Sequence, residues 1–399
     1  MIINIYLKNY NTLMKVTQIS IGRFHHFHLA RQLEKYNLLD SIYTGYPKFK
    51  LKDEIGIGLK KIKTFPWVHA PYMKRGVIGL DKFHNLNKHL EWIDRQSLDY
   101  YVANNLKKPT ILIALSGCGL ISGKKVKKMG GIYVCDRGSS HIRFQNDILK
   151  EEFEQNGIRF KGIDSRVIDK EESEYENANF ITVPSEFVKQ SFVQMGVDEN
   201  KIIKIPYGAR LDRFSKISNP QNNKFKVLWV GSISLRKGFL YALEAFQNLD
   251  CEYKEFLVIG NLENDIKDIL IKKDLTNVNF MGNVQNKNLP HIYSTSHVFL
   301  LSSIEEGLSM VMGEALSCGC PVIATENTGA RDLFTDNIEG FVVPIRSSEV
   351  IKEKLQLFVD NPNLRIAMSN AALDKVIDIG GWDGYGEKWR NLLKKYNDY

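Results

Sequence analysis

The sequence has few cysteines, and their arrangement excludes disulfide-rich and zinc-binding small domains. Five cysteines scattered over 399 residues do not make a disulfide framework. Cys318 and Cys320 form a C-x-C pair, but no second pair or nearby histidine completes a zinc site. We therefore expect reduced, mostly buried thiols and a cytoplasmic location.

Long apolar runs and several familiar motifs are also missing. No window approaches the roughly 18–20 continuous apolar residues of a membrane-spanning helix. The N-terminus lacks the residue order of a signal peptide, and residues 1–13 are either an extra strand or an upstream start. No first-strand loop reads G-x-G-x-x-G, which argues against a dinucleotide-dependent oxidoreductase. The net charge is +8, but no nucleic-acid-binding pattern accompanies it, so we expect no nucleic-acid partner.

The arrangement of apolar segments predicts an α/β fold with two domains. Short β-branched runs alternate with helix-length segments over residues 15–184 and again over 226–344. Such alternation specifies parallel sheets with helices on both faces. The polar segment 215–225 separates the two series. We predict two Rossmann-like domains facing each other across a cleft, over residues 1–214 and 226–380, with a linker over 215–225 and a terminal helix over 381–399.

The loop VGSISLRKG (230–238) is the first candidate anion site. It follows a predicted strand, and Gly238 ends its turn. Arg236 and Lys237 come just before a helix predicted to start near Phe239, so two cations would add to the unpaired N–H groups of the helix. The loop is either a phosphate clamp or a surface turn with two solvated cations.

The stretch SSIEEGLSMVMGEALSCGCPVIAT (302–325) is the second candidate. Glu306 and Glu314 are separated by seven glycine, small or apolar residues. Ser309 is a predicted N-cap for a helix that ends at Gly319. Glu314 then points inward from the second turn, where a buried carboxylate needs a partner such as a ligand hydroxyl.

These segments together resemble the retaining glycosyltransferases of family 4. EGLSMVMGEALSCGCPVIA looks like the E-x7-E signature of that family, and VGSISLRKGFLYALEAF and IPYGARLDRF (205–214) match in the same order. The resemblance covers most of residues 175–345. It implies a GT-B fold, in which the C-terminal helix crosses back to the first domain, fastened here by Trp382, Tyr385 and Trp389.

The resemblance also implies roles for individual residues. Glu306 matches the acid that contacts the donor sugar as nucleophile or electrostatic stabiliser, and Glu314 matches the acid that binds the ribose. Arg236 and Lys237 match cations on the diphosphate. Many relatives have Arg where this chain has Ser232, and Arg236 would substitute for it. The other expected donor contacts are Gly231, Ser232, Gly282, Val284, Gly307, Leu308, Ser309 and Met310.

The first domain offers further candidates. CDRGSSHIRFQ follows a predicted strand and puts Asp136 and His141 at the ligand side of the sheet. The resembled family usually has a histidine near this point, facing the donor sugar, so both are candidate catalytic residues. In the loop after the first strand, Gly22 would allow close approach of a donor. His25 and His26, in the same segment, are as readily residues on the surface of a helix as residues of the site.

Two basic runs, residues 48–63 and 124–128, belong to the same half. They are either a solvated face or a surface that docks on an anionic bilayer, where each lysine adds about 1 kcal/mol. The apolar stretch FPWVHAPYM (65–73) keeps the second option open. Docking would suit an enzyme at the inner face of the membrane with a lipid-linked acceptor.

These features predict a retaining glycosyltransferase with a UDP- or GDP-linked sugar donor and a glycan or lipid-linked acceptor, acting in cell-surface polysaccharide synthesis. No D-x-D motif that would hold a divalent metal is present, so we expect no metal and no other cofactor. The alternatives are a nucleotide-sugar epimerase of the same architecture and a basic binding protein without catalytic activity. No motif identifies the base, the sugar, the acceptor and linkage, or the oligomeric state.

Overall fold

In this computed structural model the chain forms two parallel β-sheets. The structure describes residues 14–77, 79–80, 83–208, 213–221 and 223–396. Residues 1–13, for which the sequence allows either an extra strand or an upstream start, lie outside the described residues. So do residues 209–212 of the segment IPYGARLDRF (205–214).

The first sheet contains strands from the N-terminal half. They are β1 (Val16–Ser20), β2 (Leu39–Thr44), β3 (Ile62–Thr64), β4 (Ile111–Leu115), β5 (Ile132–Asp136), β6 (Phe180–Val183) and β7 (Ile202–Lys204). Their order is β3-β2-β1-β4-β5-β6-β7.

The second sheet repeats this topology. Its strands are β8 (Phe225–Val230), β9 (Lys254–Ile259), β10 (Val278–Gly282), β11 (Val298–Leu301), β12 (Val322–Thr325) and β13 (Gly340–Val343). The order β10-β9-β8-β11-β12-β13 reverses between β8 and β11, as the first sheet does between β1 and β4. Ligands of open parallel sheets bind beyond the carboxyl ends of the strands at such a switch point. The predicted pair of parallel α/β sheets is confirmed.

Helices connect the strands. They are α1 (His26–Lys35), α2 (Pro66–Met73), α3 (His84–Asn105), α4 (Leu120–Lys128), α5 (Ile142–Gln155), α6 (Ser165–Asn177), α7 (Glu186–Gln194), α8 (Phe239–Gln247), α9 (Lys267–Leu270), α10 (Leu289–Ser294), α11 (Met310–Ser317), α12 (Ser348–Asp360), α13 (Pro362–Ile379) and α14 (Gly381–Lys395). None of the described helices is long and apolar enough to cross a bilayer.

Three strands, β2, β3 and β7, are not predicted by the apolar pattern. β2 has the sequence LDSIYT, in which Asp40 and Ser41 interrupt the apolar run. β3 and β7 are each three residues long, too short for a periodic pattern to register. The ten strands that the pattern does predict are all present.

The chain divides into two compact units. Unit one comprises Met1–Asp136, Asp169–Ile181 and Gly386–Tyr399, and unit two comprises Arg137–Ile168 and Thr182–Tyr385. The sheets change between Lys204 and Phe225, and the described residues between them form no helix or strand. The predicted domain limits follow the sheets, whereas the units follow packing, so those limits stay a prediction.

Each unit has a buried aromatic core. In unit two, Phe239 stacks on Phe256 with ring centroids 5.8 Å apart, and Trp229 meets Phe239 edge-on. In unit one, Trp389 is fully buried and Phe180 stacks on Tyr396 at 4.7 Å. All five cysteines are free and four of them are buried, as predicted.

Candidate functional site

The loops after β8 and β11 meet at the switch point of the second sheet. Gly238 has a φ of 67° and comes directly before α8. A Cβ on Gly238 would lie 1.9 Å from the carbonyl oxygen of Ser302, so only glycine fits. The amide of Ile304 donates to the carbonyl of Arg236 at 2.9 Å. Through these contacts the loop that carries Arg236 and Lys237 packs against the loop that carries Glu306.

Arg236 and Lys237 converge on Glu306. Nη2 of Arg236 lies 3.2 Å from Oε1 of Glu306, and the ammonium of Lys237 contacts the same oxygen. The Arg236 side chain is 35% exposed, whereas the side chains of Lys237 and Glu306 are 14% and 13% exposed. The two predicted clamp cations and the first predicted acid therefore form one ion-paired group, and Arg236 presents the largest part of it to solvent.

Glu305, which is not among the predicted site residues, is fully buried beside this group. Its carboxylate accepts hydrogen bonds from the Ser140 amide (3.0 Å) and hydroxyl (2.8 Å). It also accepts from Gln145 Nε2 (2.9 Å) and Arg236 Nη1 (2.8 Å). One feature of the sequence could have predicted Glu305: it is a second acid, directly before Glu306, in an otherwise apolar stretch. A carboxylate buried in such a stretch requires hydrogen-bond partners.

Burial and neighbouring charges set the protonation of this group. Burial lowers the pKa of Lys237 to about 7, and the adjacent Arg236 adds to the effect. Burial alone would raise the pKa of Glu305, but Arg236 and the hydrogen bonds from Ser140 and Gln145 hold it below its usual range. An incoming anion would favour the ammonium form of Lys237 and raise its pKa again.

Glu314 lies on α11 and is half-buried. The buried hydroxyl of Tyr293 donates to its Oε2 at 3.4 Å. Burial and the nearby Glu314 raise the pKa of Tyr293 well above its ordinary value, so the tyrosine stays a donor. One oxygen of the second predicted acid is thus held in place by the protein.

The loop from Gly307 to Met310 is tightly framed. A Cβ on Gly307 would lie 1.7 Å from the Gly138 carbonyl oxygen, and the Ser185 hydroxyl donates to the Gly307 carbonyl at 2.6 Å. Ser309 occupies the predicted N-cap position, but its side chain makes no capping hydrogen bond. Its amide donates to the Thr328 carbonyl at 3.3 Å.

Further members of this loop and of the predicted donor contacts lie at the ends of strands. Leu308 is buried and Met310 is 38% exposed. Gly231 follows β8, and its carbonyl accepts from Trp229 Nε1 at 3.2 Å. The half-buried Ser232 and Val284 follow β8 and β10. The carbonyl of Gly282 accepts from the Gly260 amide at 2.9 Å.

Asp136 lies in unit one, at the end of β5. Its Oδ2 is 2.6 Å from His25 Nε2 and 3.1 Å from His26 Nε2. Burial alone would raise the pKa of Asp136, but His25 and His26 hold it well below its ordinary value. Both histidines are buried, so their interpretation as helix-surface residues is wrong.

The possible metal-ligand atoms of His25, His26 and Asp136 all lie within 4.8 Å of one another. The hydrogen bond from His25 gives the Asp136 carboxylate a partner without an ion. Gly22, also in unit one, accepts from the Ser20 hydroxyl at 2.8 Å through its carbonyl. A Cβ on Gly22 would lie 2.6 Å from the Phe24 ring.

His141 lies in unit two and is the N-cap residue of α5. Its Nδ1 accepts from the Arg143 amide at 3.3 Å, and its ring meets Phe192 edge-on at 5.0 Å. These contacts account for its burial, and its catalytic role stays a prediction.

The fold and the switch-point site define a class, the GT-B α/β proteins with two Rossmann-like sheets. Among solved structures, Anabaena HepE in complex with UDP and glucose is similar, with a TM-score of 0.67, 14% identity, and coverage of 96% of this chain and 100% of that one. At such low identity the likeness shows the fold alone.

Sequence comparison matches part of the chain to a family of known proteins. Residues 212–375 match the family model for glycosyl transferases group 1. An uncharacterised glycosyltransferase of Methanocaldococcus jannaschii is 20% identical over 383 residues, 89% of each chain. The UDP-Gal:α-D-GlcNAc-diphosphoundecaprenol α-1,3-galactosyltransferase of Escherichia coli is 28% identical over 206 residues, 46% of this chain and 52% of that protein. This chain therefore spans about half the length of the second relative.

These matches support a glycosyltransferase role. The family match includes Arg236, Lys237, Glu306 and Glu314, and it excludes Asp136 and the segment around His141.

Proposed function

We propose that the protein is a retaining glycosyltransferase of the family 4 type that takes its sugar from a nucleotide-sugar donor. The observation that carries the proposal is the convergence of Arg236 and Lys237 on Glu306 at the switch point of the second sheet. Glu314 follows on the next helix, α11. The group 1 glycosyl transferase match and the UDP and glucose bound by the Anabaena protein support this proposal.

The reaction breaks the bond between the anomeric carbon of the sugar and the diphosphate oxygen, and joins that carbon to an acceptor hydroxyl oxygen. Negative charge develops on the departing diphosphate. Arg236, Lys237 and the N–H groups at the start of α11 stabilise this charge. The acceptor's proton passes to the departing phosphate oxygen while the new bond forms on the same face, so the configuration is retained. In this proposal the two cations take the place of a divalent metal.

The two acids have separate tasks in this scheme. Glu314 binds the ribose hydroxyls, and its contact with Tyr293 fixes its direction. Glu306 faces the donor sugar and shares both cations before the donor arrives. A bound diphosphate supplies a second anion to Lys237, which frees part of Glu306 for the positive charge that develops on the sugar.

The acceptor is proposed to be a lipid-linked glycan at the inner face of an anionic membrane. The Escherichia coli relative is named for a diphosphoundecaprenol-linked acceptor. In unit one, the segment 48–77 carries eight Lys and Arg residues against two acids. Trp67, Ile55 and Phe49 in the same segment are 78%, 83% and 67% exposed. Exposed apolar side chains among lysines match the chemistry of an anionic bilayer surface.

Thermal-shift screening against UDP, GDP, ADP and their sugars, with and without EDTA, tests the donor site. We expect one nucleotide to raise the melting temperature in both conditions, because ligand binding stabilises the folded state. Glu314→Ala should lose this shift. The absence of any shift in the wild type would overturn the proposal.

Product analysis tests the reaction. With a matching sugar nucleotide and a diphosphoundecaprenol-linked acceptor, proton NMR should show that the anomeric configuration of the donor is kept. Inversion would contradict the retaining mechanism. Conversion of the donor without an acceptor would favour the epimerase alternative.

A further inference from the structure

Glu305 is fully buried, and its carboxylate accepts a hydrogen bond from Arg236. We propose that it is a positioning residue that holds the Arg236 guanidinium at the diphosphate and makes the segment 138–145 part of the donor site. This inference rests on the proposed function and assigns a further residue to it.

The buried carboxylate of Glu305 joins three segments of unit two. Ser140 precedes α5, Gln145 lies on α5, and Arg236 lies in the loop after β8. Both donors of Ser140 reach Oε1, and Gln145 and Arg236 reach Oε2. Four donors on two oxygens satisfy the carboxylate inside the protein, so it has little capacity left for a ligand.

The Arg236 guanidinium contacts Glu305 with one nitrogen and Glu306 with another. Nη1 donates to both the carboxylate and the carbonyl oxygen of Glu305, at 2.8 and 2.9 Å. Nη2 points to Glu306 at 3.2 Å. A guanidinium has a rigid planar fork, so fixing one nitrogen fixes the direction of the other. Glu305 therefore decides where the positive charge of Arg236 lies.

The position of the Arg236 guanidinium matters because the loop 230–238 contains few cations that could bind a diphosphate. Arg236 and Lys237 are the only cations in the loop, and Ser232 brings no charge. Both cations contact Glu306 before a donor binds. Without Glu305, the guanidinium would be free to turn fully onto Glu306, away from a diphosphate, and the donors of Ser140 and Gln145 would lose their acceptor.

A second contact ties the same segment to the loop of Gly307. The Gly138 carbonyl lies where a Cβ of Gly307 would be, so the two backbones are in direct contact. Residues 138 to 145 thus frame the loop expected to hold the donor and also anchor the cation that faces it. The family match begins at residue 212 and does not include this segment.

The affinity ratio between nucleoside diphosphate and monophosphate reports this placement. The nucleotides UDP, GDP, ADP, UMP, GMP and AMP would be titrated calorimetrically into the wild type, Arg236→Ala, Glu305→Gln and the double variant. For the base that binds, we expect Arg236→Ala and Glu305→Gln each to lower the ratio at least about tenfold. The double variant should match Arg236→Ala, because the two residues act as one unit.

Glu152→Gln is the matched control. Glu152 is equally buried in unit two and accepts from Arg346 Nε at 2.7 Å and from the Tyr241 hydroxyl at 3.1 Å. It should lose thermal stability without changing the ratio. Should Glu305→Gln fail to fold, Gln145→Leu removes one donor from the same carboxylate and is expected to lower the ratio in the same direction by a smaller factor.

Three outcomes overturn the proposal. Additive losses in the double variant would show that Glu305 acts independently of Arg236. An unchanged ratio in the folded Glu305 or Gln145 variant would reduce Glu305 to a stabilising role, while the glycosyltransferase proposal stands if a diphosphate still binds. If none of the six nucleotides binds the wild type, the proposed function fails and this inference fails with it.

Discussion

The protein carries positive charge in two contrasting settings. In unit two, Lys237 is nearly buried, packed against a carboxylate, and has a pKa lowered to about 7. In the segment 48–77 of unit one, Lys48, Lys50 and Lys60 are exposed beside exposed apolar side chains. Burial makes a cation specific, since it fixes the geometry and weakens competition from water. Each exposed lysine adds only a small attraction to an anionic surface, and salt screens that attraction.

The largest effect should come from the buried cation. Lys237→Ala is expected to lower kcat by about 10²- to 10³-fold, because a preorganised group that stabilises developing charge is lost. Lys254→Ala is a suitable control, since Lys254 is a partly buried lysine that donates to the Phe246, Gln247 and Leu249 carbonyls at the end of α8. Wild-type turnover in Lys237→Ala would remove the clamp from the mechanism.

Glu314 should follow in size. Glu314→Ala is expected to weaken nucleoside diphosphate binding by about 10- to 100-fold, the value of one or two hydrogen bonds to a charged group. Glu314→Gln keeps an acceptor for the Tyr293 hydroxyl and should melt close to the wild type while still binding more weakly. Equal affinity in the alanine variant and the wild type would show that this acid does not touch the nucleotide.

The pH dependence of binding distinguishes the two settings directly. The pKa of Lys237 is near 7 in the free protein and should rise when a diphosphate binds, so binding takes up a proton. Affinity should be flat below pH 7 and should fall by up to tenfold per pH unit above it. Lys237→Arg, which stays charged, should show no such fall. A flat profile for the wild type between pH 6 and 9 would contradict this assignment.

The smallest effect is expected at the exposed lysines. Lys50→Gln and Lys52→Gln should each weaken binding to vesicles of anionic lipid by about 1 kcal/mol, and Trp67→Ser should weaken it through loss of apolar contact. Diphosphate affinity should not change in these variants. Sedimentation with vesicles of increasing phosphatidylserine content measures the effect, and indifference to lipid charge would leave this segment as a solvated face.

Local pattern predicts the parts of this protein that depend on neighbours in sequence. The strand–helix alternation gives the parallel sheets, and Gly238 before a helix gives the loop that holds Arg236 and Lys237. Glu305 escapes prediction because its partner Ser140 lies 165 residues away. The burial of His25 likewise depends on Asp136, 111 residues later. A carboxylate or imidazole is assigned to the interior only when its partner is known, and the partner is set by tertiary packing.

The three-part make-up of unit one has a consequence for how the chain folds during synthesis. Unit two ends at Tyr385, whereas unit one takes in the residues that follow, among them the buried Trp389 and Leu393. Domains fold as units while the ribosome elongates the chain at about 5–20 residues per second. Because these residues follow all of unit two in the sequence, unit one cannot complete its core until unit two has been synthesised.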